Sequence, residues 1–368
     1  MKKNLKTTGR LLSPNSTSFD FNSKRKNSLL KVLTIGGVMG TLLFTSCSDN
    51  AEIVDMESDA NIAQNTEFIL VPAENEPIEI KARLTGSSDD TFKTTQAPGV
   101  DEGRFNITLK YVVDVTERQK EVFQAAAARW ERIIIKDVPS ITGTIPSAFA
   151  GFPPVVQNGT IDDIIIEVVL APIDGPGKIL GQAGPRYLRT ADRLPLSGVM
   201  YFDVADLAYL ESLDLFEDVI VHEMGHVLGV GTLWNYYRTL RQGPASNPYF
   251  TGKLANVFWT AEGGKDLLPI ENLGGPGTAG GHWRESLLRN ELMTGYLNLG
   301  VNPLSRITAG SLSDLGYGTA LVGEQYALVR GTQGIDINEL AKSEFANGIN
   351  IAEMEILLEP VGFVTVEE

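Results

Sequence analysis

The sequence predicts an α+β protein: a twisted mixed sheet with helices packed on it, one of them carrying a histidine pair, and a largely irregular C-terminal subdomain. Three observations point there. Apolar residues alternate in some segments and recur at spacings of three and four in others. The strand and helix patterns follow one another without strict alternation, which favours a mixed sheet. At 368 residues and 43% hydrophobic, the chain can bury one large core or two modest ones.

The chain divides by charge and composition. Residues 1–46 hold eight Lys/Arg and one acid, contributing +7 to a net −15 and leaving −22 on the rest. So acidic a body argues against nucleic acid as a partner, because phosphate binding needs a basic face. Within the basic segment, Val32 to Ser46 is uncharged and too short to span a bilayer, which takes about 20 apolar residues. It has the form of a signal-peptide core behind a basic n-region. The run ends in "FTSC" at Cys47, the chain's only cysteine. This resembles a bacterial lipobox, with Phe44 where leucine is usual, and implies lipidation of Cys47. The lipid implies anchoring in the cell envelope, at the outer membrane or cell surface. With Cys47 acylated, no disulfide remains, so the fold depends on its core and on any metal.

The expected organisation is a lipoprotein signal peptide (1–46), a flexible tether or small N-terminal segment (47–100), a catalytic domain (101–320) and a C-terminal extension (321–368). "FILVPAENEPIEIKARL" in the tether can add edge strands. In "NITLKYVVDV", Ile107, Leu109, Tyr111 and Val113 alternate as a half-buried strand. Thr116 and Gln119 form a capping box for a helix whose apolar stripe runs from Val122 to Ile134, ending near Lys136 and Pro139. Ile161 to Leu170 reads as a central strand buried on both faces. "IDGPGKILGQAGP" reads as a glycine-rich loop. Ser197 to Leu207 reads as another strand, open to pairing with an extended peptide or buried as plain core. "LFEDVIVHEMGHVLG" follows as a helix.

That last helix carries the chemistry. A helix turns about 100° per residue, so His222 and His226 stack on one face and can share a zinc ion. Glu223, rotated by one residue, can reach a water beside the metal without ligating it. The chain has three histidines, and the third is His282. A catalytic zinc takes three protein ligands and a water, so the inventory fits. Glu262, Glu271 and Glu285 are alternative third ligands. Gly229 can take the left-handed turn that ends the helix.

His222, Glu223, His226 and Gly229 resemble the motif of the metzincin zinc metallopeptidases. Thr232 stands where the short form of that motif has its third histidine. The long separation to His282, "HWRESLLRNELM" and "NPLSRITAGSLSDLGY" resemble the leishmanolysin-like branch instead. The resemblance covers residues 105–317, most closely 217–234 and 282–317. It implies a metzincin-like fold, His282 as third ligand, Glu223 as general base and Met293 as the methionine of a turn beneath one catalytic zinc. The implied activity is an endopeptidase acting on protein or peptide substrates, and a monomer is expected. The chain departs from eukaryotic relatives in lacking their disulfides, the cysteine that caps their zinc, and most of their C-terminal domain.

Two other readings remain open: a non-catalytic surface binding protein on a zinc-stabilised scaffold, and a zinc amidase with a non-protein substrate. Asp174, Gly175 and Gly177 offer oxygens for a structural calcium, although no spaced acidic loop supports one. Tyr296 can reach an oxyanion or serve as packing. Residues 241–281, with Tyr249, Phe250, Phe258 and Trp259, are expected to pack locally and line a cleft. Glu285 and Glu291 are expected at the surface or supporting the ligands.

Overall fold

The computed structural model describes residues 67–84, 103–275, 278–327 and 348–367. The signal segment, Cys47 and most of the tether lie outside them. The strands are β1 (Ile78–Leu84), β2 (Ile107–Tyr111), β3 (Ile141–Ile145), β4 (Val156–Ile161), β5 (Ile164–Ala171), β6 (Gly181–Arg189), β7 (Pro195–Asp203), β8 (Arg241–Gln242), β9 (Tyr249–Phe250), β10 (Leu297–Asn298), β11 (Gly348–Ile349), β12 (Glu355–Leu357) and β13 (Gly362–Val366). The helices are α1 (Glu117–Glu131), α2 (Val204–Ser212), α3 (Phe216–Val227), α4 (Lys253–Ala261), α5 (Glu285–Leu288) and α6 (Arg306–Leu315).

The main sheet is mixed and runs β2-β5-β7-β6-β13-β1-β3-β4, with β12 also paired to β6. Strands β2, β5 and β7 are parallel, and β6 is antiparallel to β7. Every residue of β5 and β7 is buried, as a strand covered on both faces requires. Helix α1 begins at the expected capping box: Gln119 donates its amide to the Thr116 hydroxyl, and Thr116 donates its own to the Gln119 side chain. It stops at Glu131, so Ile133 and Ile134 are buried beyond the helix, where Ile134 bridges to Thr319.

Helices α1 and α3 share the large core beneath the sheet. Trp130 of α1 is fully buried and donates its indole N–H to the Val221 carbonyl of α3 at 2.9 Å. Arg129 ties the same helices to the chain beyond them, pairing with Asp218 at 2.7 Å and with Glu324 at 2.9 Å.

Three expectations need correction. The glycine-rich stretch after Asp174 is a loop only in part, because Gly181–Arg189 is strand β6. Its glycines meet close neighbours: a Cβ on Gly184 would stand 2.2 Å from the Leu358 carbonyl oxygen. The β1 strand is not an edge, since it lies between β13 and β3. Nor is the C-terminal part wholly irregular: among the described residues of 321–368, β13 is parallel to both β6 and β1 and completes the sheet between them.

Candidate metal centre

Helix α3 holds two of the histidines because its sequence is apolar nearly all round. From Val219 to Val227 every residue is buried, including His222, Glu223 and His226. Gly225 sits between the histidines, where a Cβ would come within 2.7 Å of the Met293 sulfur and 2.9 Å of the Trp130 ring. The methionine therefore packs beneath the helix, against the one position with no side chain. The helix ends as expected at Gly229, whose φ of 109° is open to glycine and strained for other residues. The Thr232 hydroxyl donates to the His226 carbonyl at 2.7 Å, so this residue caps the helix end.

The long insertion brings His282 to the pair. Trp234, just after the helix, stacks on Trp283 with ring centroids 4.5 Å apart, and Phe250 of β9 meets both edge-on. The aromatics of the insertion thus divide: Phe250 joins this buried cluster and Trp259 is also buried, while Tyr249 and Phe258 are half-buried. The Glu271 amide donates to the His282 carbonyl at 2.9 Å, fixing the backbone at the ligand.

Each imidazole is oriented from behind. Nδ1 of His222 lies 2.7 Å from the Leu292 carbonyl, that of His226 2.8 Å from Val230, and that of His282 3.2 Å from Thr278. A carbonyl only accepts, so each Nδ1 carries the hydrogen and each Nε2 presents a lone pair. The three Nε2 atoms converge, 3.0, 3.1 and 3.2 Å apart. All three rings are fully buried.

A fourth group joins them. Glu355, at the start of β12, sets its carboxylate 2.7 Å from Nε2 of His282, 3.3 Å from that of His222 and 3.6 Å from that of His226. His222, His226, His282 and Glu355 form a buried group that could hold a metal ion. Four sets of lone pairs aimed at one point repel each other unless a cation lies between them. Apart from the imidazoles and Glu223, neither Glu355 oxygen has a hydrogen-bond partner among the described residues.

The electrostatics agree. Burial pushes the Glu355 carboxyl up, but the surrounding imidazoles outweigh it and hold the group well below the usual range. Burial lowers His226, whereas at His282 the Glu355 charge overcomes burial and raises the proton affinity. Glu223 is fully buried, its oxygens find no hydrogen-bond partner other than Glu355 among the described residues, and burial followed by the Glu355 charge holds it well above the ordinary value.

The structure brings together His222, Glu223, His226, His282 and the Met293 turn. The alternative ligands are engaged elsewhere or stand apart. Glu262 pairs with Arg306 at 2.6 Å, and Glu271 accepts from the amides of Asn272, Leu273 and Glu285. Glu285 and Glu291 are buried, not superficial. Glu291 accepts from the Met293 amide at 2.7 Å and from the hydroxyls of Ser305 and Thr308, and so shapes the methionine turn.

The loop proposed for calcium points its amides inward: Ile173, Asp174 and Gly175 donate to Asp203, and Gly177 to Asp206. Tyr296 is buried at 4% exposure, with its ring against Gly348. Strand β7 is not a docking edge, because β5 and β6 flank it. Glu355 is the residue that sequence reasoning missed. Its signal was a lone carboxylate in the apolar run "MEILL", a costly placement without a partner. Comparison with known proteins finds no family model matching the chain and no similar curated protein.

Proposed function

We propose that the chain is a lipid-anchored, extracytoplasmic zinc endopeptidase of metzincin type. The observation that carries this reading is Glu223, a buried carboxylate whose one partner among the described residues is Glu355, standing beside three imidazole lone pairs that converge. A three-nitrogen, one-oxygen donor set suits zinc, which binds histidine at about 2.0–2.1 Å, and a triangle of nitrogens this size fits that distance. The resemblance in His222, Glu223, His226, Gly229 and Met293 supports the same reading. The anchoring part rests on Cys47 and its preceding run.

Bound zinc supplies Lewis acidity toward a carbonyl and lowers the pKa of a water. The chain's residues do the rest. His222, His226 and His282 hold the ion, with their tautomers set by the Leu292, Val230 and Thr278 carbonyls. Glu223, as a carboxylate, takes the proton of the attacking water and returns it to the departing amine. Burial, followed by the neighbouring Glu355 charge, raises its proton affinity above the ordinary carboxylate range.

One observation favours a second reading. Glu355 completes a four-ligand set, and closed sets are the mark of structural zinc. The chain would then be a binding protein on a metal-stabilised scaffold. Glu223→Gln tests between them, assayed for metal content and for cleavage of unfolded protein, in the native chain and in Glu355→Ala. The endopeptidase reading expects retained metal and a loss of roughly 10²–10⁴-fold in turnover. An unaltered rate rejects the role of Glu223. Cleavage by neither Glu223-containing chain leaves the structural reading.

A further inference from the structure

We propose that the C-terminal segment Glu355–Leu357 is a built-in inhibitor. It lies along β6 where an extended peptide would pair, and its Glu355 carboxylate fills the position at the metal that substrate or water must take. The inference rests on the metallopeptidase reading above.

Strand β6 packs against the histidine helix; one of its sides pairs with β7, and the other is covered by β12 over Gly181–Ala183 and by β13 over Tyr187–Arg189. The tail covers that edge with main-chain bonds. The Met354 carbonyl accepts from Leu180 at 2.6 Å and from Gly181 at 3.3 Å, and the Leu358 amide donates to Ala183 at 2.8 Å. Such bonds read backbone and not side chain, which is how an edge strand receives peptides of many sequences. Gly184 leaves room for the approach of Leu358.

The paired stretch is short. Register runs only from Glu355 opposite Gly181 to Leu357 opposite Ala183. Strand β13 anchors the chain that follows, in register with Tyr187–Arg189 of β6 and with β1, and between the two strands the Val361 amide donates to the Arg186 carbonyl and the Arg186 guanidinium to the Glu359 carbonyl. β12 can therefore unpair while β13 stays in the sheet. A cavity of about 320 Å³ is lined by Leu357–Glu359 together with Gly231, Thr232, Tyr236 and Arg241. The tether gives Glu355 an effective concentration of order millimolar or above, so weak external ligands lose the competition. Glu223 distinguishes a displaceable cap from a permanent ligand. A site closed for good has no use for a second buried carboxylate, and Glu223 has no partner among the described residues other than Glu355 itself.

The test uses the full chain loaded with Co²⁺, whose visible spectrum reports its ligands, and acetohydroxamate as the probe. Glu355→Ala is compared with the native chain, and Glu355→Gln keeps the volume in case alanine disturbs folding. The inference expects both variants to retain one cobalt and to respond to the probe at concentrations roughly tenfold or more below those the native chain needs. Equal response in native and variant chains overturns it, as does loss of cobalt from both variants, which would make Glu355 a permanent ligand. Absence of cobalt from every chain refutes the metal centre and the inference together. If the variants open to the probe yet cleave no peptide, the inference stands and the endopeptidase reading falls.

Discussion

At the scale of the residue, the site is a matter of protons and lone pairs. Backbone carbonyls hold the hydrogens of His222, His226 and His282 on the outer nitrogens, and this aims three inner nitrogens at one point where a metal ion could bind. Nearby, Glu285 shows what burial costs without such compensation. It is pushed up to about 8 by burial, and one of its oxygens has no hydrogen-bond partner among the described residues. In the unfolded chain a glutamate titrates at about 4.3. The native state thus keeps a proton that the unfolded state releases. Its contribution to stability is full below the unfolded value and is lost as pH rises through about 8. Glu285→Gln keeps the volume and removes the ionisation. Urea midpoints across that window should fall less steeply with pH in the variant than in the native chain, and identical slopes would refute this account. The histidine spacing and Glu223 were legible because a helix makes neighbours of residues four apart. Glu355 was not, because 129 positions of chain separate it from His226 and no local pattern links them.

At the scale of the element, α3 is positioned by what packs against its glycine. Met293 and Trp130 converge on Gly225, so the turn, the first helix and the metal helix meet at one point. Gly225→Ala would gain helix propensity in isolation but overpacks this contact. The expected outcome is a net loss of about 1–3 kcal/mol, read from chemical denaturation. An unchanged midpoint would show that Met293 yields freely. The capping box of α1 and the fully apolar β5 were legible, since each is decided within a few residues. Strand β6 was not. Gly181, Gly184 and Pro185 are loop residues by local preference, and they form a strand because β7 and the tail press close on either side.

At the scale of the molecule, the metal centre joins parts far apart in the chain: α3, the end of the long insertion, and the tail. An ion there should stabilise the whole fold by mass action, about 2.7 kcal/mol at a hundredfold excess over Kd. Chelation should lower the thermal midpoint of the native chain and leave that of His282→Ala unmoved; a shift of equal size in both would refute the placement of the ion. Sequence by itself determined the elements whose patterns are local, the helix with its two histidines and adjacent base, and the glycine that ends it. Only the tertiary structure decided which strand presents an edge, that the tail completes the sheet, and that Glu355 reaches the three imidazoles. The physical reason is range. Periodicity and capping act within a turn or two of chain, whereas coordination and strand pairing join residues whose separation along the chain carries no signal.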